Sequence, residues 1–472
     1  MLGPMTSTVA TSQADATEAA ALARRFPPGF VFGVASSAYQ IEGAADEDGR
    51  GKSIWDTFSH TPGRTREGET GDIACDHYHR WQDDIALMRE LGIGSYRFSV
   101  SWSRVLPDGI GAVNQLGLDF YDHLVDGLLA AGITPLPTLY HWDLPQALYD
   151  RGGWTSPEAP AWFAEYAGVM ATRLGDRVPR WLTLNEPQVF AFTGHAYGRH
   201  APGMEDWPTA LRVADGALRG HAAAAEQIRA TVAGAEIGIA LNLNRVEPAS
   251  GSAEDAEAAD RHHAIHQRWF ADPLFGRPYP DVAVRAQRDA GHLPEGLVVD
   301  GQALIGPTLD FVGLNYYTRE VIAADPGGAF GLRMAPAPDV QRTTMGWEVN
   351  PGGLLKVLDW LHRDYAPREI AITECGAAFP EPSLVADVEL VDDPERTRFL
   401  ADHVAVAAQA IDEGIPVTGF YAWSLLDNYE WAEGYAQRFG IVHVDYPTQR
   451  RIVKRSGRLY QAVAQAHRAA GS

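Results

Sequence analysis

The sequence predicts a closed parallel (β/α)8 barrel of the TIM type, built as a single domain. Three observations lead there. Eight short apolar runs alternate with amphipathic segments along nearly the whole chain, the pattern of repeated βα units. Several amphipathic segments stop at a glycine (Gly92, Gly132, Gly234, Gly414), where a helix commonly ends in a left-handed residue. Most apolar runs end abruptly on amide, imidazole, carboxylate or indole side chains, as expected where barrel strands open onto a shared pocket.

The elements follow in order. Residues 30–37 (FVFGVASS) read as the first buried strand, running into AYQIEG at 38–43, and residues 43–72 as a long loop. A helix is predicted over 76–91, a strand over 95–102, a helix over 118–131 and a strand over 134–142. Pro135 and Pro137 suit the start of that strand better than a central antiparallel position. A helix over 157–175 precedes the fourth strand, RWLTLN, which Pro187 stops after Glu186. Then come a helix (209–233), a strand (236–243), a helix (253–270) running into a loop of aromatic character (269–273), and a strand (309–316). The series closes with a helix (354–365), the strand IAITECG (370–376), a helix (394–413), the strand VTGFYAW (417–423) and a last helix over 459–469.

Bulk properties narrow the possible partners. Of 472 residues, 46% are hydrophobic and 21% charged, which suits a large globular core. Against 61 acidic residues stand 39 basic ones, a net charge of −22, so nucleic acid and anionic membrane surfaces are excluded as natural partners. Cys75 and Cys375 are the only cysteines; no disulfide framework is expected, and a reducing, cytoplasmic location fits. Residues 1–24 are rich in Ala, Thr and Ser without a basic segment followed by an apolar one. They read as a disordered tail rather than a signal peptide, ahead of a barrel domain over 25–472. No stretch reaches the ~18 apolar residues of a membrane span.

Two strand ends stand out. LTLNEP (182–187) and ITECG (372–376) each carry a glutamate, Glu186 and Glu374, where a buried strand runs out. A carboxylate so placed is costly unless paired or working, and two of them on one barrel face are what cleavage of a glycosidic bond requires. The other strand ends contribute Gln40, Arg97, His141, Asn185, Asn315, Tyr317 and Trp423, the last followed by Glu430 and Trp431. Amides, imidazole and carboxylate hydrogen-bond hydroxyls, and indoles stack on sugar rings. Cys75 and His79 lie one helical turn apart but His77 faces elsewhere, so capping and packing are expected there rather than a metal. His262, His263 and His266 read as solvated helix residues.

These segments, with WSLLDNYEWAEGY (423–435), FGVASSAYQIEG (32–43), YRFSVSW (96–102), YHWDLP (140–145) and GLNYY (313–317), resemble the signatures of glycoside hydrolase family 1, the β-glucosidase family, from about Phe26 to the C-terminal helix. The resemblance implies retaining hydrolysis of β-linked glycosides or short oligosaccharides, with no metal and no cofactor. It gives Glu186 the role of acid/base and Glu374 that of nucleophile. Gln40, His141, Asn185, Tyr317, Trp423, Glu430 and Trp431 resemble the residues that hold the glycone, Trp347 the aglycone platform, and Arg97 the arginine beside the nucleophile.

Arg97 should keep Glu374 ionised, and the facing charge should raise the pKa of Glu186. Glu430, read as a carboxylate, implies an unmodified sugar, because a 6-phosphate would meet like charge. Cys375 stands where the family usually has Asn, which removes an amide beside the nucleophile. A catalytically silent binding barrel would be expected to lose one carboxylate, and a barrel aldolase would want a strand-end lysine; neither fits. Glucose, galactose or fucose preference, transglycosylation and oligomeric state stay open at this level.

Overall fold

A computed structural model describes residues 19–299, 305–306, 308–382 and 388–471. Eight parallel strands close into a barrel: β1 (Val31–Ala35), β2 (Ser95–Ser99), β3 (Thr134–Tyr140), β4 (Arg180–Asn185), β5 (Glu236–Asn242), β6 (Phe311–Tyr316), β7 (Ile370–Cys375) and β8 (Val417–Trp423). Neighbours in sequence are neighbours in space, and β1 closes the ring by pairing with both β2 and β8, Ala35 standing opposite Arg97 and Trp423. The predicted TIM barrel is the fold.

Strand alternation divides the apolar residues between two layers. On β6, Phe311 joins the cluster inside the barrel, whereas Val312, Leu314 and Tyr316 join the larger core under the helices. Asn315 and Tyr317 follow Phe311's face and so reach the open end of the barrel. Register slips re-aim the ends of two strands: β4 shifts against β5 between Leu182 and Asn185, and β7 shifts against β6 between Ile372 and Glu374. Such irregularities bend a strand locally and redirect its side chains.

Eight main helices cover the barrel: α1 (His77–Glu90), α2 (Gln115–Ala130), α3 (Ala159–Leu174), α4 (Trp207–Thr231), α5 (Ala253–His263), α6 (Pro351–Tyr365), α7 (Pro394–Asp412) and α8 (Arg455–Gly471). Side chains fix the starts of α4 and α6: Asp206 accepts from Thr209 N at 2.8 Å, and Asn350 from Gly353 N at 2.7 Å, each satisfying an otherwise orphaned donor. Gly92 (φ 72°) and Gly132 (φ 73°) follow the ends of α1 and α2 in a conformation that glycine reaches without a Cβ clash.

The structure corrects several expectations. Residues 269–273 are helical, within Trp269–Leu274, and the whole segment is buried. Residues 38–41 form a short helix. The tail reading fails at its inner edge: residues 19–23 are helical, and Ala19 and Ala23 are 1% exposed in the core. Residues 1–18 lie outside the described residues. His262 is buried rather than solvated, with Nε2 at 2.8 Å from Glu320. At the start of α1, Cys75 Sγ donates to Asp427 O at 3.0 Å and buried His77 meets Asp84 at 2.7 Å, while exposed His79 pairs with Asp76. A sheet of Arg245–Pro248, Arg319–Ala324 and Leu332–Met334, beside the mouth of the barrel, was not expected.

The segment after β8 is held from below by buried charges. Lys454, fully buried, donates to Asp427 at 2.6 Å and to Glu381. Arg438 reaches Asp427 at 2.9 Å, and Arg396 and His443 reach Glu381 at 3.3 and 2.9 Å. Glu381, Asp427 and His443 are close enough to share a metal ion, but the Lys454 ammonium already lies against both carboxylates. Removing one partner of a buried ion pair strands the other. Lys454→Met is therefore expected to lower stability by about 3–5 kcal/mol; an unchanged midpoint in denaturant unfolding would contradict this account of the anchor.

Candidate active site

Arg97, on β2 inside the barrel and 1% exposed, organises the site. Its guanidinium donates to Glu374 Oε1 at 2.5 Å, to the carbonyl of Thr373 at 3.1 Å, to Asn185 Oδ1 at 2.6 Å and to Thr138 Oγ1 at 3.1 Å. One side chain thus ties together β2, β3, β4 and β7. The second oxygen of Glu374 accepts from Tyr317 Oη at 2.5 Å. Asn315 Nδ2 donates to Glu186 Oε1 at 2.7 Å and to Asn185 Oδ1 at 2.9 Å, while Thr373 Oγ1 donates to Asn315 Oδ1 at 2.8 Å.

Glu186 leaves its strand in a left-handed conformation (φ 49°), and its N–H donates to Ala240 O on β5 at 2.8 Å. Trp142, also left-handed (φ 79°), donates its indole N–H to Asn185 O at 2.9 Å. Positive φ at such bulky residues persists only where the surroundings enforce it. His141 Nε2 lies 3.0 Å from Asn185 Nδ2 and accepts from it; its ring is stacked near Trp423 and Trp431, centroids 5.8 and 5.9 Å away. Burial and the charge of Arg97 push the His141 pKa well below its usual value, so this imidazole is neutral.

Gln40 Nε2 donates to Tyr429 O at 2.8 Å, Asn428 Oδ1 at 3.0 Å and Glu430 Oε2 at 3.3 Å, and Ser37 Oγ donates to Gln40 Oε1 at 2.7 Å. Trp347 packs near Tyr317, centroids 5.3 Å apart. Glu186, Glu374, His141, Asn185, Tyr317, Trp347, Trp423, Glu430 and Trp431 line one cavity of about 610 Å³. Gln40, Arg97 and Asn315 lie just behind that wall, bonded to groups that form it.

The electrostatics separate the two glutamates. Burial first, then the charge of Glu374, raise Glu186 to about 8. Burial also raises Glu374, but Arg97, Tyr317 and Asn315 oppose it. Glu374 therefore ionises first, and its charge holds the proton on Glu186. Glu430 departs from expectation: burial and the charges of Glu374 and Glu186 raise it to about 8, so in the open pocket it is largely protonated at neutral pH and can donate as well as accept.

Position 375 has no hand in orienting the nucleophile. Cys375 is fully buried in the core shared with Tyr316, burial pushes its thiol well up, and the bonds to Glu374 come from Arg97 and Tyr317. Sequence reasoning overlooked Thr138, Trp142, Thr373 and Asn242. Asn242, which ends β5, lines the cavity and favours the ionised form of Glu186; its strand-end position was the available signal.

Comparison with known proteins agrees with this geometry. The profile of glycosyl hydrolase family 1 matches residues 22–469. β-Glucosidase A of Thermotoga maritima is 48% identical over 441 residues, 93% of this chain and 98% of that protein. The bifunctional β-D-glucosidase/β-D-fucosidase of Bifidobacterium breve is 42% identical over 464 residues, 94% of this chain and 99% of that one. The solved structure of the T. maritima β-glucosidase in complex with deoxynojirimycin superposes with a TM-score of 0.90 at 48% identity, covering 94% of this chain and 99% of the other. With matches of this extent around a pair of buried strand-end glutamates, the chain belongs to glycosyl hydrolase family 1.

Proposed function

We propose that in this family 1 β-glucosidase Glu374 is the nucleophile and Glu186 the acid/base, acting on terminal β-glucosyl residues. The observation that carries the assignment is the asymmetry of the pair: Glu374 is bound by Arg97 and Tyr317, whereas Glu186 has an amide as its nearest partner and a raised pKa of about 8. In the first step a Glu374 oxygen attacks the anomeric carbon. The glycosidic oxygen leaves with the bonding electrons and takes the proton of Glu186. The glycosyl ester so formed carries no charge on Glu374, which lowers the proton affinity of Glu186. Glu186 then takes a proton from water as its oxygen attacks the anomeric carbon and Glu374 departs. Both steps invert the anomeric centre, and the net result is retention.

Gln40, His141, Asn185, Glu430 and Trp431 hold the glycone hydroxyls in this reading, Trp423 stacks on its apolar face, and Trp347 supports the aglycone. Glu430, at the far side of the glycone in this reading, is a carboxyl rather than a cation and can exchange hydrogen bonds with neutral hydroxyls, which favours an unmodified sugar over a 6-phosphate. Residues 25–472, with the helical residues 19–23 packed into their core, act as a single catalytic unit. No helix among the described residues is long and apolar enough to cross a membrane. The two free, buried cysteines fit a reducing compartment such as the cytoplasm.

Glu374→Gly should abolish turnover of aryl β-glucosides while the protein keeps its melting temperature within a few degrees. Added azide should then occupy the vacated space and yield the α-glucosyl azide; hydrolysis at the parent rate would sink the assignment.

The pKa of Glu186 sets the alkaline limb of activity. As the acid, it must hold a proton, so kcat/KM should fall as pH rises through about 8. It should also fall at low pH as Glu374 takes up a proton. In Glu186→Gln the alkaline limb should vanish, and glycosides with poor leaving groups should slow far more than activated aryl glycosides. An alkaline limb that survives in Glu186→Gln would assign it to another group.

A further inference from the structure

Glu320 is among the cavity-wall carboxyl groups that take no part in the chemistry above. Glu320 belongs to the strand Arg319–Ala324 that continues from the end of β6, and it lines the same cavity as Glu186 and Glu374. It stands beside Asn244, and its chain neighbour Arg319 bonds to Glu348, the residue after Trp347, which supports the aglycone in this reading. We propose that Glu320 is a specificity-determining residue that accepts hydrogen bonds from hydroxyls of an aglycone sugar, making β-linked oligosaccharides the preferred substrates of this site. The proposal rests on the β-glucosidase reading and adds the aglycone's chemistry to it.

The wall is built to hold this carboxylate in place. His262 Nε2 lies 2.8 Å from Glu320 Oε2, with side-chain exposures of 8% and 24%. The His262 ring stacks on His266, centroids 4.2 Å apart, and Tyr197 Oη lies 3.0 Å from His266 Nε2. Asn244 Nδ2 approaches Glu320 Oε1 at 3.4 Å. Burial alone would raise the Glu320 carboxyl, but His262, His266 and the Asn244 amide outweigh it and hold it down at about 2, so it is ionised at neutral pH.

Its neighbour Glu348 shows the contrast. Glu348 also lines the cavity, but Arg319 at 2.6 Å, Arg342 at 3.1 Å and the N–H of Ala337 at 2.9 Å take up its oxygens. A carboxylate offers about four acceptor positions. Glu320 has one good bond and one long one, so it keeps capacity facing the cavity. Asn244 Oδ1, buried beside it, has no partner in the protein. Unfilled acceptors on a cavity wall call for donors, and sugar hydroxyls are neutral donors of the right kind. An aryl aglycone brings none.

The experiment compares cellobiose, cellotriose and 4-nitrophenyl β-glucoside in the full-length enzyme, in Glu320→Gln and in Glu320→Ala. The ratio of kcat/KM for an oligosaccharide to that for the aryl glucoside should fall about tenfold or more in Glu320→Ala, the loss of a hydrogen bond to a charged group. The fall should be expressed mainly in KM. Glu320→Gln, which retains one acceptor and the side chain's shape, should fall less and serves if the alanine variant does not fold. An unchanged ratio for both oligosaccharides, whether activity stays whole or drops equally on every substrate, would overturn the proposal and leave a structural role beneath His262. Failure of the parent enzyme to hydrolyse 4-nitrophenyl β-glucoside would instead overturn the β-glucosidase reading, and this one with it.

Discussion

A guanidinium inside a closed barrel has to be paired, and that requirement shapes this site. Arg97 is 1% exposed, and an unpaired charge at such depth would cost several kcal/mol. Its partners come from three other strands: Thr138 on β3, Asn185 on β4, and Thr373 and Glu374 on β7. The parallel (β/α)8 topology makes that possible, because it brings the carboxyl ends of strands far apart in sequence to one face. The barrel and the charge pair support each other. The closed sheet positions the ligands of Arg97, and Arg97 fixes the register in which those strand ends meet.

The same interaction sets the order in which protons leave. Burial raises the carboxyls of Glu186, Glu374 and Glu430, and Arg97 is the cation bonded directly to one of them. Arg97 and Tyr317 offset that rise at Glu374. The first negative charge therefore settles on Glu374 and keeps Glu186 protonated, the division of labour that a retaining glycosidase needs. Glu430 shares the effect: held protonated by its neighbours, it can present both a donor and an acceptor to adjacent hydroxyls.

The barrel and the reacting pair were legible in the sequence because their signals are local. Strand runs, glycine stops and the polar residues at strand ends depend on short-range periodicity and chain sterics, and the two glutamates fall in stretches of distinct composition. Other features were not legible. Trp142 reads as core until its indole is seen on the carbonyl of Asn185. His262 reads as a solvated helix residue until the unexpected strand carrying Glu320 is laid against it. Residues 269–273 read as a loop because buried aromatics carry no amphipathic period. The raised pKa of Glu430 depends on charges that approach only in the fold. Cys375 is a similar case: it follows the nucleophile in the chain, where the family usually has Asn, yet strand geometry turns the thiol into the outer core.

The most direct test of the central claim is to trap the covalent intermediate. A 2-deoxy-2-fluoro-β-glucoside with a good leaving group slows the release step by destabilising the positive charge that develops in it, so the glycosyl-enzyme accumulates. Mass spectrometry of the digested protein should then find one fluoroglucosyl group per chain, attached to Glu374 in the segment Ile370–Cys375. A label on Glu186 or Cys375, or steady turnover with no label at all, would contradict the account in which Arg97 prepares Glu374 for attack.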